Sequence, residues 1–255
     1  MANEATLKLV KEWLSDARLI AFFGGAGVST ESGLKDYRSR DGQYSTMAAG
    51  QEDPRKIMNR RYIMTQPEKF FNRPQPERQQ EIKPNAAHLV LAEWEKAGKD
   101  IRIITQNVDG LHQQAGHRFV IELHGNGRTW HCMTCGRVYL PNEAPRDEQN
   151  IPRCYVDQGI VRPSVIFFGE NPKTEDIQLS IETIKQADVL IVAGTSLSVY
   201  PAKNLIHHFV GKRVIVINRE PLNLQTLEVD AFIQGEVGQI FTTLDKLQPN
   251  IMKSL

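Results

Sequence analysis

The 255-residue chain has only three cysteines, an odd count, so a framework of disulfides is excluded as its staple. It has no excess charge of either sign: Lys and Arg number 31, Asp and Glu 30, and the formal net charge is +1. A strongly basic nucleic-acid clamp is thereby excluded as the first reading, and no specific nucleic-acid partner is expected. No apolar run approaches the roughly 20 residues that a helix needs to cross a bilayer, so no membrane partner is expected. The opening MANEATLKLVKEWL carries acidic residues and no continuous apolar core, unlike a secretory signal. Internal repeats and low-complexity tracts are missing as well. What is there is 40% hydrophobic and 24% charged, the balance of a globular chain rather than a disordered one. The expectation is a cytoplasmic protein of one large or two small domains, a monomer in the absence of any extra interface segment.

Leu7, Val10 and Leu14, with Trp13 beside them, fall at helical spacing and predict an opening amphipathic helix. Leu19–Phe23 is a short continuous apolar run, as suits a strand covered on both faces. Strand-like runs recur at Ile101–Thr105, Phe119–Leu123, Ser164–Phe168, Val189–Ala193 and Val214–Asn218. Helical stretches separate several of them, near 85–97, 174–186 and 201–209, with Gly98 and Gly211 where helix ends are expected. Such alternation predicts an α/β fold with a parallel sheet. Two segments interrupt it. Residues 35–84 are polar and helix-prone, and 126–160 carry short alternating runs around the cysteines. The reading is one large domain from 1–34, 85–125 and 161–255, and a small one built from the insertions 35–84 and 126–160.

Gly24, Gly25, Ala26, Gly27, Val28 and Ser29 follow the first strand directly. A Gly-rich turn there lets the backbone approach a pyrophosphate, with a helix N-terminus expected to face the charge. Alone it is equally a tight strand–helix turn. The full dehydrogenase fingerprint fails, because Thr30 stands where a third Gly or Ala belongs and no acid ends a second strand about 20 residues on. Hydride transfer is therefore not indicated. Polar clusters end other strands: Gln106, Asn107 and Asp109; Gly194, Thr195 and Ser196; and Asn218. Any one of them could simply cap a helix, but in an open α/β sheet ligands bind beyond the carboxyl ends of the strands. His124 sits at a fourth strand end, in Glu122-Leu-His-Gly125, and an imidazole with a pKa of about 6.5 serves as a base near neutral pH. His207 and His208 lie on a predicted helix and read as surface or packing.

In order, the chain carries GAGVSTESGL at 25–34, then Asp36, Tyr37 and Arg38, KPNAAH at 83–88, TQNVDGLHQQAG at 105–116, ELHG at 122–125, Cys132-x-x-Cys135, VRPSVIFFGE at 161–170, GTSLSVYPA at 194–202 and Ile217-Asn218. This ordered set resembles the sirtuin family of NAD-dependent protein lysine deacylases, over about Leu19 to Ile240, and its middle looks like the bacterial members. The resemblance implies a Rossmann-like parallel sheet with a small zinc-ribbon-like and helical second domain, and NAD plus an acyl-lysine peptide bound between them. It implies that Gly25, Ala26, Gly27 and Ser29 cradle the phosphates, that Asp36, Tyr37 and Arg38 belong to a loop over NAD, and that Gln106, Asn107 and Asp109 hold the nicotinamide end. Gly194, Thr195, Ser196 and Asn218 would serve the adenosine side, with Val237 flanking the adenine. Ile166, Phe167, Gly169 and Glu170 would line a groove where an extended peptide adds as a strand. The implied catalytic set is His124, Asn107 and Gln106, with His124 as general base for a ribose hydroxyl. The products would be free lysine, nicotinamide and O-acyl-ADP-ribose.

The chain also departs from the family pattern. Structural zinc in that family uses two Cys-x-x-Cys pairs, but here Cys132 and Cys135 are followed by Cys154 and then Asp157. Zinc accepts carboxylate oxygen, so Asp157 is a candidate fourth ligand, with His131 a weaker one. Loss of the metal and a bare redox pair are the other readings. Lys35 stands where the family usually has Pro, Tyr37 where it has Phe, and Asn126 where Ser or Thr is usual. The Tyr-x-x-Arg pair of desuccinylases is absent, since Thr65 lies three residues after Tyr62, which favours short neutral or apolar acyl groups. Two further classes share the scaffold: an ADP-ribosyltransferase or NAD glycohydrolase, and a non-catalytic NAD sensor, whose signature would be loss of His124 or Asn107.

Overall fold

A computed structural model describes residues 3–36, 53–74, 81–222, 224 and 227–247. The chain opens with α1 (Glu4–Asp16), capped by the Asn3 side chain accepting from Ala5 N, and continues into β1 (Leu19–Gly24). Three short helices follow: α2 (Pro54–Ile57), α3 (Arg60–Thr65) and α4 (Pro67–Phe71). Next come α5 (Ala86–Lys96), β2 (Asp100–Thr105), α6 (Leu111–Ala115) and β3 (Val120–Glu122). The second insertion holds β4 (Gly125–Cys132), β5 (Val138–Tyr139) and β6 (Val161–Val165). The chain then runs through α7 (Thr174–Gln186), β7 (Val189–Ala193), α8 (Ala202–Leu205), β8 (Arg213–Asn218), β9 (Ala231–Gln234) and α9 (Val237–Leu247).

Six of these strands make one parallel sheet in the order β3-β2-β1-β7-β8-β9, the Rossmann-like arrangement in which strand order reverses beside the first strand. The period-2 alternation of the strands sorts their side chains between two cores. Ile20, Phe22, Ile101, Ile103, Ile191, Ile215 and Ile217 pack against α1, α5 and α9. Ala21, Phe23, Ile104, Leu190, Val192, Val214 and Val216 pack on the other face, against α7 and α8. Phe22 and Phe23 are fully buried on opposite faces, each contributing roughly 1.5–3 kcal/mol. The register is flush at the carboxyl end: Gly24 pairs with both Thr105 and Ala193, Thr105 with Glu122, and Ala193 with Ile217. The residues just past these strands therefore lie along one edge.

Several expectations need correction. The Gly-rich turn does not open an α-helix. It forms two 3-10 turns, Ala26–Val28 and Thr30–Ser32, the second closed by Gly33 at φ +89°. Too few peptide dipoles align there to make a helix N-terminus. The run Ser164–Phe168 is not a strand of the parallel sheet: only Ser164 and Val165 of it lie in a strand, β6, which pairs antiparallel with β4 in a three-stranded sheet of order β5-β4-β6. Gly211 is not a helix cap. It lies beyond a 3-10 turn at Ile206–His208, where an added Cβ would stand 2.2 Å from the Ala187 carbonyl. β9 was not anticipated. It is a four-residue edge strand with only Ala231 and Ile233 buried.

The two insertions meet. Ile63 and Phe70 from the helices share a small core with Ile151, Ile160 and Phe167, and Asn150 Nδ2 donates to Asn72 Oδ1 at 2.7 Å. No helix among the described residues is long and apolar enough to cross a membrane.

Candidate active site and metal centre

The flush strand ends open into a cavity of about 1650 Å³. That exceeds the roughly 300–1,000 Å³ of a pocket for one small ligand and leaves room for a dinucleotide and a second substrate. On its floor, the loops after β1 and β7 touch backbone to backbone. Gly27 N donates to Gly194 O at 2.7 Å and Gly25 N to Ala193 O at 3.2 Å. A Cβ on Gly25 would meet Thr195 Cβ at 2.8 Å, and one on Gly194, at φ +55°, would meet Val28 N at 2.4 Å. This close packing demands glycine and leaves a shallow backbone cradle of the kind a pyrophosphate occupies.

Beside the cradle, three polar side chains form one network. Ser29 Oγ donates to Asp109 Oδ2 at 2.7 Å, and Asn107 Nδ2 donates to Ser29 Oγ at 3.0 Å and to Gly25 O at 3.1 Å. Asn107 N donates to Thr105 Oγ1 at 3.0 Å, and Gln106 Nε2 to Thr195 Oγ1, also at 3.0 Å. Gln106, Asn107, Asp109, Ser29 and Thr195 thus come together across three strand ends. His124 lines the same cavity. Its Nδ1 lies 2.9 Å from the Gln106 carbonyl, which only accepts, so Nδ1 carries the proton and Nε2 is left as the acceptor. Burial lowers the His124 pKa below the usual imidazole value, with the Gln106 carbonyl working in the opposite direction.

At the far end, Asn218 Nδ2 donates to Glu220 O at 2.7 Å, Ser196 Oγ lies 2.7 Å from Ser198 Oγ, and Val237 is buried at the start of α9. Asp36 lines the cavity, whereas Tyr37 and Arg38 lie outside the described residues. Along the other wall, Ile166 N donates to His124 O at 2.8 Å and Phe168 N to Met58 O at 2.8 Å, which extends the chain from Ile166 to Phe168. Gly169 sits at φ +85°. The Glu170 carboxylate is already engaged, accepting from Arg162 Nη2 at 2.6 Å and Phe167 N at 2.9 Å. It shapes this wall from within.

Three supporting residues escaped the sequence reading. Asn85 caps α5 and donates from Nδ2 to Val28 O at 2.8 Å, pinning the Gly-rich turn. Glu31 accepts from Gly238 N at the start of α9. Thr105 fixes Asn107 through the bond above. The capping pattern before α5 was the only signal of the first. Thr105 acts locally, two residues before Asn107, and Glu31 depends on tertiary pairing.

In the second insertion, ligand atoms of Cys132, Cys135, Cys154 and Asp157 all lie within 4.8 Å of one another. Zn–S bonds of about 2.3 Å in a tetrahedron put two sulfurs about 3.8 Å apart. Cys135 Sγ and Cys154 Sγ are 3.7 Å apart, and Cys132 Sγ is 3.3 Å from Asp157 Oδ1. Backbone N–H groups of Thr134 and Val156 and the Tyr139 hydroxyl donate to the sulfurs, and Gly159 N, bonded to Asp157, holds that carboxyl down to about 2. A Cβ on Gly159 would lie 2.8 Å from Cys132 Sγ, so the cradle is shaped around its donors. Three thiolate positions and a carboxylate with such donors fit zinc. His131 stands apart, its Nδ1 against Ser164 Oγ at 3.1 Å.

The Sir2 family model matches residues 25–201. An NAD-dependent protein deacetylase of Clostridium tetani is 41% identical over 215 residues, spanning 84% of this chain and 87% of that protein. Another from Cutibacterium acnes is 41% identical over 247 residues, spanning 94% and 96%. A solved Sir2–p53 peptide–NAD+ complex superposes with a TM-score of 0.81 at 30% identity, over 94% of this chain and 98% of that one. A Sir2 bound to acetylated peptide gives 0.80 at 28% identity, over 94% and 98%.

Proposed function

The chain belongs to the Sir2 family, and from that premise we propose that it is an NAD-dependent protein lysine deacetylase, transferring the acyl group of an acyl-lysine peptide to ADP-ribose. The observation that carries the reading is His124, its Nδ1 fixed by the Gln106 carbonyl and its Nε2 free to accept, across the cavity from the joined Ser29, Asn107 and Asp109. NAD supplies the cleavable bond between ribose and nicotinamide, one water is consumed in releasing the lysine, and the products are nicotinamide, O-acyl-ADP-ribose and the free lysine.

The roles follow from position. His124, just past β3, would act on the ribose that carries nicotinamide. The cradle of Gly25, Ala26 and Gly27, with Ser29, would take the diphosphate. Gly194, Thr195, Ser196, Asn218 and Val237 would hold the adenosine. Gln106, Asn107 and Asp109 orient the nicotinamide ribose, and His124 takes the proton from a ribose hydroxyl. Asp36 lines the cavity beside this site, and the roles that the resemblance implies for Tyr37 and Arg38 lie outside the described residues. The extended Ile166–Phe168 wall, with Gly169 and the carboxylate of Glu170 behind it, receives the peptide as an added strand. Cys132, Cys135, Cys154 and Asp157 would hold a structural zinc that takes no part in the reaction.

The small insertion domain and the large sheet domain form the two walls of this cleft, with the boundaries read from the sequence except after residue 160, where β6 pairs with β4 and carries the small domain on to about Val165. The unpaired cysteines support a cytoplasmic location, the near-neutral charge supports action on proteins and not on nucleic acid, and a monomer is the expected state. Mass spectrometry of the reaction with NAD, with and without an acetyl-lysine peptide, tests the proposal. Peptide-dependent O-acetyl-ADP-ribose is expected. Nicotinamide and free ADP-ribose formed equally without peptide would instead assign the chain to NAD hydrolysis or ADP-ribosyl transfer.

A further inference from the structure

The cavity has a second end, away from His124, where the charges are out of balance. Just past β8, Arg219 donates from Nε to Glu236 Oε1 at 2.6 Å. Neither partner is on a loose loop. Asn218 pairs with Gln234 in the sheet, Gly235 N donates to Asn218 O at 3.1 Å, and Gln234 Nε2 donates to Arg219 O at 2.9 Å. The hydrogen bond to Glu236 raises the Arg219 pKa most, and the charges of Glu236, Asp36 and Glu31 add to it. The cavity wall here carries Asp36, Glu220 and Glu236 with Lys35 and Arg219, and Glu31 stands behind it at the start of α9. Among the described residues carboxylates outnumber cations on this wall, and Nε of the guanidinium that faces this end is already bonded to one of them.

In dinucleotide-binding sheets an acid beside the adenosine ribose marks a free 2′-hydroxyl, and an arginine there marks a 2′-phosphate. This chain lacks the acid at the usual strand and instead has one of each here, bonded together. Resting on the proposed NAD site, we infer that the Arg219–Glu236 pair is the specificity element for the adenosine end, admitting a ribose with a free 2′-hydroxyl and rejecting the 2′-phosphorylated dinucleotide. A 2′-phosphate brings a charge of about −1.5 to −2. To reach the Nε edge of Arg219 it has to displace Glu236, and at either edge it approaches the carboxylates of Glu236 and Glu220 on the same wall. The discrimination is electrostatic, so it weakens with salt and follows the charge of the two side chains.

The test is calorimetric titration of the whole chain with NAD and with NADP, reading the ratio of the two affinities. The wild-type chain is expected to bind NADP at least about tenfold more weakly than NAD. Glu236→Gln keeps the shape and removes one charge, and should narrow the ratio several-fold. Arg219→Gln removes the cation and should widen it. Raising the salt from about 0.01 M to 1 M shortens the screening length from about 30 Å to 3 Å and should shrink the wild-type ratio. A purely structural role for the pair would move both affinities together and leave the ratio in place. Equal affinity for the two dinucleotides, or a ratio indifferent to both substitutions and to salt, overturns the inference. A chain that binds neither NAD nor NADP overturns the NAD site itself, whereas NAD binding without discrimination removes this inference alone.

Discussion

At the scale of single residues, the site depends on what each side chain has left after its structural bonds are made. His124 gives its Nδ1 proton to Gln106 O at 2.9 Å and keeps Nε2 as a base. Replacing it with Ala should cut deacetylation by about 10²–10⁴-fold, the usual contribution of a general base, while calorimetric NAD binding persists. Retained turnover would remove His124 from that role. Burial lowers its pKa, so the base form survives below the ordinary imidazole range. The acid limb of kcat/KM should therefore fall below pH ~6.5, with activity level above it. Gly194 makes a different demand. At φ +55°, with Val28 N standing 2.4 Å from any added Cβ, Gly194→Ala imposes about 1–3 kcal/mol of backbone strain before the clash is counted. The expected result is a lower urea midpoint together with loss of NAD binding, since the same loops form the cradle. The network of Ser29, Asn107 and Asp109 was legible in the sequence because each ends or follows a strand in a flush register. Asn85 and Glu31 were not, because their partners Val28 and Gly238 lie 57 and 207 positions away.

At the scale of elements, α5 and α6 bury three histidines that the chemistry does not use. The His88 ring lies 4.7 Å from that of His112, which lies 5.2 Å from His117, whose Nδ1 meets the buried Glu95 carboxylate at 2.7 Å. His88 Nδ1 accepts from Asn85 N at 3.3 Å and completes the cap of α5, and only the neutral ring can do so. Burial first, and the nearby His117 second, push its pKa down to about 4. A histidine whose folded pKa is depressed contributes stability that is fully present above pH ~6.5 and is lost as the pH falls toward that lower value. For His88 the loss is on the order of 3 kcal/mol between pH ~6.5 and about 4. Buried His112 is shifted in the same direction and adds to it. Urea midpoints measured at pH 7.5, 6 and 5 should decline accordingly, and His88→Gln, an acceptor that does not titrate, should flatten the decline. An unchanged slope in that variant would exonerate His88. Because Asn85 also holds Val28 O, acid should weaken NAD binding before global unfolding. Element type was readable wherever apolar runs were long. The edge strand β9 was not, with two buried residues in four, and the Gly-rich turn stopped short of a helix because its backbone is held by the β7 loop.

At the scale of the whole molecule, the two halves are stabilised by unequal means. The six-stranded sheet is covered on both faces, so its stability comes from burial. Among the described residues the ribbon of β4, β5 and β6 buries Cys132, Tyr139, Ala144, Cys154 and Val161 with Trp130 packed against them, and two of these are candidate metal donors. A core that small folds reliably only when a staple is added. The sequence made the donor set legible through its spacing. It left open whether Asp157 joins the set, because a carboxylate three residues after a cysteine is as easily a turn residue as a ligand. Its placement among three sulfurs within 4.8 Å is a tertiary fact. The protein should carry one zinc per chain by elemental analysis, and a chelator should melt the insertions at a lower temperature than the sheet, splitting one transition into two. A fourth thiolate suits zinc better than a carboxylate. Asp157→Cys should therefore retain zinc against a competing chelator, and each tenfold gain in affinity adds about 1.4 kcal/mol to the metal-loaded state. Asp157→Ala should lose zinc first. If all three proteins release zinc at the same chelator concentration, Asp157 is a turn residue and the three cysteines hold the metal alone.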